Sequence, residues 1–391
     1  MKTVKEIEVT GKTVLVRADY NVPVDENGAI TDDNRIAVTI ELIDYLLKQR
    51  AKVVLASHMG RPGGKRDNRF SLKPVAARLA ELVQKKVEFV EDCIGDLARE
   101  KVKALEEGEI LLLENLRFHK GEKSNDPQFA RELASLCDVY VNEAFAVSHR
   151  DQASVTGITE YAPVSAAGFV LEKEIRTYYD SVRNPKRPLV AIIGGAKVSG
   201  KLEALRNMLN YVDRMIVGGA MANTFLKSSG IDTRGSMVEE DLVDTAAGIM
   251  LTAEELGIEL LLPTDLVAAD SFSREAESVK VPVDQIPSGW MGLDIGPETA
   301  ERFAKAVENA GTIVWNGPMG VFEMEPFMAG TRAVAEAVAG SGAFSIVGGG
   351  DTGLAVKMCG LSEGMSYIST GGGAFLHLME GKELPGVKAL N

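Results

Sequence analysis

Short apolar runs rich in Val, Ile and Leu alternate along the whole chain with turns of Gly or polar residues and then with amphipathic stretches. In the first half the runs are TVLVRA (13–18), AKVVLAS (51–57), EILLLEN (109–115) and CDVYVNEA (137–144), with IAVTIELIDYLLKQR and SLKPVAARLAELVQKK between them. The second half repeats the grammar with PLVAIIGG (188–195), RMIVGGA (214–220), IELLLPT (258–264), GTIVWNG (311–317) and AFSIVGGG (343–350). Runs this continuous lack the in–out alternation of a half-exposed strand, so they predict parallel strands covered by helices on both faces. The chain is predicted to be an α/β protein of two doubly wound, Rossmann-like parallel-sheet domains joined by an interdomain helix.

A length of 391 residues exceeds what one core organises, which agrees with two domains. The joint is predicted near 163–188. There SAAGFVLEKEIRTYYDSV reads as one helix, and RNPKRP breaks it with two prolines among basic residues. The expected division is a first domain over 1–168, a helix and linker over 169–187, a second domain over 188–375 and a tail over 376–391. No internal repeat or low-complexity tract interrupts it.

Composition narrows the function classes. No run of about 18 apolar residues occurs and the start lacks the apolar core of a secretory signal, so the expected location is the cytoplasm. Cys93, Cys137 and Cys359 form no Cys-x-x-Cys, which suggests neither a disulfide framework nor a zinc site; they read as small buried hydrophobes. A formal net charge of −13 argues against nucleic-acid or anionic-membrane partners. Against that acidic background, a local group of arginines carries information.

In open parallel sheets, ligands bind beyond the carboxyl ends of the strands. In the first half those ends carry Arg17, Asp19 and Asn21, then His58 and Arg61, then Arg117 and His119, then His149 and Arg150, with Arg35 on a loop leading into a helix. A single arginine is ordinarily a surface ion-pair partner. Five at equivalent positions point to a small, multiply charged anion, because guanidinium forks bind carboxylate and phosphate oxygens in pairs. The four histidines show no metal-like spacing, and His377 reads as structural.

The second half delivers glycine at the same strand ends: Gly194 and Gly195, Gly218 and Gly219, Gly317 and Gly320, Gly348 to Gly350, and Gly371 to Gly373. One diglycine is a tight turn; five in register suggest backbone amides brought close to a flat ring and a polyphosphate. Within AIIGGAKVSGKLEAL, Gly195 to Lys201 fits the Gly-x-x-x-x-Gly-Lys of phosphate loops, but Leu202 stands where the Mg²⁺-holding hydroxyl belongs. Lys197 and Lys201 are read at the start of a helix, facing one side. Asp351 is open to two readings, a ligand for a phosphate-bound divalent cation or a helix N-cap. Glu323 is either a ribose acceptor or a solvated turn residue.

Taken in order, VRADYNVP, SHMGRP, LLLENLRFH, EAFAVSHR, GGAKVSGK, GLDIGPET, VWNGPMGVFE, GGGDT and STGGGA resemble the phosphoglycerate kinase family over essentially the whole chain. That resemblance implies reversible phosphoryl transfer between MgATP and the carboxylate of 3-phosphoglycerate, giving ADP and 1,3-bisphosphoglycerate, by a monomeric kinase of glycolysis whose two lobes close together. It places the acid at Asp19, Asn21, Arg35, His58, Arg61, Arg117 and Arg150, and the strand-end reading adds Arg17 to the same site. It places the nucleotide at Lys197, Lys201, Gly292, Glu323 and Gly349 to Thr352 (Gly349, Gly350, Asp351, Thr352), with Mg²⁺ on Asp351; the strand-end residues Gly194, Gly195, Gly218, Gly219, Asn316 and Pro318 are expected at the same site.

Arg35 and Lys197, with the amides of Gly371 and Gly372, are assigned to the transferring phosphoryl group, and the last residues are expected to pack on the first lobe. Two positions depart from the family pattern: Asp151-Gln152 follows Arg150 where Ala-His is frequent, and Gly200 precedes Lys201 where Asp is frequent. Two alternatives remain, a phosphate-loop-like NTPase switch and a catalytically inert binding protein on the same fold. A dinucleotide oxidoreductase is disfavoured, because no Gly-x-Gly-x-x-Gly follows the first strand.

Overall fold

The computed structural model describes all 391 residues. The chain divides into one unit formed by Met1–Arg176 with Glu383–Asn391 and a second formed by Thr177–Lys382. The helix Phe169–Arg183 contributes to both.

The first unit is built on β1 (Thr13–Arg17), β2 (Lys52–Ala56), β3 (Val87–Val90), β4 (Ile110–Leu113), β5 (Val139–Asn142) and β6 (Ser165–Ala167). They form one parallel sheet in the order β3-β4-β2-β1-β5-β6. The chain winds outward in one direction from β1 and then in the other, so β1 marks the topological switch point. The apolar runs form strands because both faces are covered: all four residues of β4 and of β5 are buried. Ser165–Ala167 corrects the expectation of one continuous helix over 165–182. These small residues pair with β5, and the helix starts only at Phe169, where the Glu143 carboxylate accepts from Val170 N at 2.9 Å.

The pattern read as one helix over 36–50 is also divided, into Asn34–Ala37 and Ile40–Lys48. Thr39 is the reason. Its hydroxyl donates back to Ile36 O at 2.8 Å and bonds the buried Tyr20 hydroxyl at 3.0 Å, competing with the helical ladder. The short first helix carries Arg35.

The second unit holds β7 (Leu189–Ile193), β8 (Arg214–Val217), β9 (Glu259–Leu261), β10 (Asp265–Ala269), β11 (Ser278–Pro282), β12 (Met291–Ile295), β13 (Thr312–Asn316), β14 (Phe344–Gly348) and β15 (Tyr367–Ile368). Six of them make a parallel sheet, β15-β14-β13-β7-β8-β9, with its switch point at β7. The other three form an antiparallel sheet, β11-β10-β12, that the apolar-run pattern did not predict. It is tied to the parallel layer by Asp265, whose carboxylate accepts from Glu298 N and Thr299 N at the start of the helix Pro297–Glu308.

The chain end is shared. Tyr178 and Asn207 donate to the carbonyls of Leu378 and Met379, at 2.7 and 2.7 Å, holding the helix Gly372–Met379 to the second unit. Only beyond Lys382 does the chain belong to the first unit, where Gly386 N donates to Ser148 O at 2.9 Å and a side chain on Gly386 would strike Val155.

Candidate active site

Adjacent strands β4, β2, β1 and β5 deliver their following residues to one edge of the first sheet. Arg17 ends β1 and is fully buried. Its Nε donates to Ser154 Oγ at 2.7 Å, Nη1 to Ala18 O, and Nη2 to His58 Nδ1 at 3.2 Å, with Glu122 Oε1 3.9 Å away. Glu122, also fully buried, in turn accepts from Ser154 N and Oγ. This guanidinium is committed to protein partners and acts as a strut under the site.

The strut sets the protonation of His58. Arginine only donates, so Nδ1 of His58 accepts and its proton stays on Nε2. Burial, and then Arg17, Arg117, Arg150 and Arg35, push the imidazole well below its ordinary pKa, which keeps it neutral. Asp19 accepts from Arg35 Nη1 and from Asn21 N, while Asn21 Oδ1 accepts from Gly60 N at 2.8 Å. Gly60 sits at φ +60°, and a Cβ there would lie 2.2 Å from the Phe70 ring. That turn requires glycine.

Gly60 O also accepts from Arg117 Nη1 at 2.8 Å. Arg117 is 5% exposed, and its Nε and Nη2 are buried with no hydrogen-bond partner. Burial, then Arg17 and Arg150, lower its pKa to about 10. It lines a cavity of about 380 Å³ with Arg61, Arg150, Lys123 and Gln152. Arg150 is half-buried, donates from Nε to His149 at 3.3 Å, and is lowered by burial together with Arg61 and Arg17 against the pull of Asp19. A desolvated guanidinium with two idle donors beside three more cations has the chemistry to receive an anion.

Lys123 and Gln152 complete this wall, and neither is legible in the sequence as an anion ligand. Lys123 follows no strand directly, coming instead after the turn Leu116–Phe118. Gln152, a departure from the family pattern, is buried with its Oε1 unpartnered.

In the second unit the glycine pairs serve two purposes. Gly194, Gly218, Gly219, Gly317 and Gly320 have the space of a Cβ filled by protein: Gly194 by Pro318 O, Gly219 by Gly195 N, Gly317 by Gly194 O, Gly218 by Met319 and Gly320 by Asp294. They let the loops after β7, β8 and β13 interlock backbone to backbone, as in Gly195 N to Pro318 O at 3.1 Å and Gly219 N to Met319 O at 3.1 Å. Gly195 and Gly350, by contrast, face open space. There a ligand can approach the main chain. Gly349 caps the helix Gly350–Met358, and Gly372 opens the helix Gly372–Met379 with its missing Cβ 3.1 Å from Gly350 N. Two helix N-termini lie side by side, a focus of positive potential.

Lys197 and Lys201 both precede the helix Leu202–Met208 instead of standing on it; Lys201 is its N-cap and Lys197 is exposed on the loop. Ser199 anchors that loop through its backbone N–H to Glu239 at 3.0 Å. Burial lowers the Lys201 pKa to about 8 against the opposing fields of Asp351 and Glu380. Asp351 is exposed in the first turn of its helix, whose N-cap is Gly349, so the N-cap reading of Asp351 does not hold. Thr352 Oγ1 accepts from Gly317 N at 2.7 Å, and the buried Asn316 amide donates to Gly348 O at 3.0 Å. These two, with Pro318, hold the loops in register. Glu323 is an exposed turn residue whose carbonyl accepts from Arg274, and Gly292 N on β12 donates to Ser236 at 2.9 Å.

The family model for phosphoglycerate kinase matches residues 4–382. A phosphoglycerate kinase from Desulforapulum autotrophicum is 63% identical over 391 residues, covering 100% of both chains. One from Desulfosudis oleivorans is 54% identical over 390 residues, covering 100% of this chain and 98% of its own. Among solved structures, phosphoglycerate kinase from Coxiella burnetii superposes with a TM-score of 0.90 at 44% identity, covering 99% of this chain and 98% of that one.

Proposed function

The chain belongs to the phosphoglycerate kinase family, and from that premise we propose which of its side chains carry the reaction. Its activity is that of the family, reversible phosphoryl transfer between ATP and the carboxylate of 3-phosphoglycerate in glycolysis. Whole-chain identity at this level sets aside the NTPase-switch reading. We take it to act as a cytoplasmic monomer on small-molecule substrates; no helix is long and apolar enough to cross a membrane.

The observation that carries the assignment is the pair of idle donors on buried Arg117. The phosphate of 3-phosphoglycerate takes Nε and Nη2 of Arg117 in a bidentate pair, with Arg61, Arg150 and Lys123 completing the charge balance. Asp19, Asn21 and Arg35 hold the glycerate, and neutral His58 donates to it from Nε2. Arg17 works beneath them, fixing the His58 tautomer.

The acceptor needs no general base, because a carboxylate with a pKa of about 4 is ionised at neutral pH. What opposes transfer is repulsion between two anions and the charge on the moving group, so alignment and fixed positive charge supply the catalysis. Arg35 and Lys197 meet the transferring phosphoryl group, the amides of Gly371 and Gly372 add to the helix N-terminus there, and Lys201 holds the nucleotide phosphates. Gly195 and Gly350 allow the nucleotide against the main chain, with Gly292 and Glu323 on its nucleoside side.

Asp351 suits Mg²⁺: its carboxylate is exposed beside Lys201, and Mg²⁺ bound to a nucleotide takes few protein oxygens. When bound, the ion neutralises charge on the phosphate oxygens. The direct test is a coupled assay with purified protein, MgATP and 3-phosphoglycerate, reading acyl phosphate through a downstream dehydrogenase. ATP turnover that does not depend on the added acid would overturn the assignment.

A further inference from the structure

One cluster of chemistry-bearing side chains lies outside this machinery. Asp92 and Cys93 follow β3, and His119 follows the turn Leu116–Phe118 after β4, so neighbouring strands bring the three together. A carboxylate oxygen of Asp92, Sγ of Cys93 and a ring nitrogen of His119 lie within 4.8 Å of one another. His119 Nε2 is 2.7 Å from Asp92 Oδ1, which also accepts from Cys93 N at 2.7 Å. The ring is braced by Phe129, with centroids 5.4 Å apart.

We propose that Asp92, Cys93 and His119 form a binding site for one borderline divalent transition-metal ion of the Zn²⁺ or Co²⁺ type. The donor set is one sulfur, one nitrogen and one oxygen, which suits such ions and is wrong for Mg²⁺, so the site is chemically separate from the nucleotide's cation.

Binding is balanced as follows. The Cys93 thiol loses its proton to solvent, and the His119 ring proton moves from Nε2 to Nδ1, which frees the Nε2 lone pair. Three bonds form, to Sγ, Nε2 and an Asp92 oxygen, leaving a fourth position for water. The Asp92–His119 hydrogen bond is exchanged for shared coordination. The small contraction needed falls on loop residues, and Asp92 and His119 are both partly exposed, giving the ion an entry path.

The test is titration of the whole purified protein with CoCl₂, followed by competition with ZnCl₂. The expected result is a thiolate-to-cobalt charge-transfer absorption in the near ultraviolet, saturating at one ion per chain and removed by Zn²⁺. It is expected to vanish in Cys93→Ser and to persist in Cys137→Ser and Cys359→Ser. Affinity should fall by more than about tenfold in His119→Gln, which keeps the buried sulfur and so stands in should Cys93→Ser fold poorly; even outer partners of a metal ligand are worth that much. No charge-transfer band in the wild type, a band that survives in Cys93→Ser, or an affinity indifferent to His119→Gln overturns the proposal.

Discussion

Arg117→Met separates the anion-receptor account from an ordinary structural role, because the two disagree on the sign of the stability change. In the anion-free protein the guanidinium is 5% exposed, makes one hydrogen bond, to Gly60 O, and leaves Nε and Nη2 idle. Its pKa of about 10 sits well under the ordinary guanidinium range, and at about 1.4 kcal/mol per tenfold in proton affinity that lowering corresponds to a penalty of roughly 3 kcal/mol. Methionine removes the penalty and forfeits the bond to Gly60 O, worth about 1 kcal/mol. The urea midpoint in anion-free buffer should therefore hold or rise.

Binding should respond in the opposite direction. Two charge-assisted hydrogen bonds at about 1.5 kcal/mol each or more are lost, so KM for 3-phosphoglycerate rises about a hundredfold or more, with the KM for ATP little changed. The coupled assay and urea unfolding, each with and without 3-phosphoglycerate, read both quantities. A variant that unfolds at clearly lower urea while its KM for the acid stays within about threefold of wild type refutes the reasoning.

Arg35→Ala should lower kcat by about a hundredfold or more while MgATP binding persists, checked by steady-state kinetics beside nucleotide titration. Lys123→Gln should raise KM for the acid by about three- to tenfold and reduce its dependence on salt, measured from low to high ionic strength. Lys201, with a pKa of about 8 in the nucleotide-free protein, loses its charge as pH rises through that value. KM for the nucleotide should therefore climb above pH 8, by up to about tenfold per pH unit, and Lys201→Gln should abolish that limb. The linked stability has the opposite sign: the unfolded chain binds more protons between about 8 and 10.5, so nucleotide-free stability rises with pH across that window. Gly317→Ala, whose Cβ would fall 2.1 Å from Gly194 O at φ +106°, should destabilise by several kcal/mol, whereas Gly200→Ala meets nothing nearer than 3.9 Å and should fold normally; thermal melts compare them.

The parts legible in the sequence were those with a local cause. Continuous apolar runs such as LVAII are buried on both faces and announce parallel strands, and the residue following each run is placed by the sheet. That is why Arg17, His58, Arg117 and Arg150 could be grouped beforehand. What could not be read depends on partners distant in sequence. Arg17 looks like any other arginine at a strand end, yet Ser154 and Glu122, more than a hundred residues away, make it a strut.

The glycine pairs were visible, but whether each serves a ligand or a neighbouring loop depends on what fills the space of its Cβ: Pro318 O at Gly194, nothing at Gly195. The β11-β10-β12 sheet is hard to read in the sequence because DLVAA opens on Asp and ends on two alanines and SVKVP is largely exposed, so neither shows the strong apolar run of the parallel layer. Ser165–Ala167 reads as helix because small residues are compatible with either state, and only pairing with β5 decides.

Isothermal titration of 3-phosphoglycerate and of MgADP into Arg117→Met and Lys201→Gln tests the division of labour most directly. The account predicts that Arg117→Met loses the heat of the acid and keeps that of the nucleotide, and that Lys201→Gln does the reverse. Loss of both heats in either folded variant, or retention of acid binding in Arg117→Met, would contradict it.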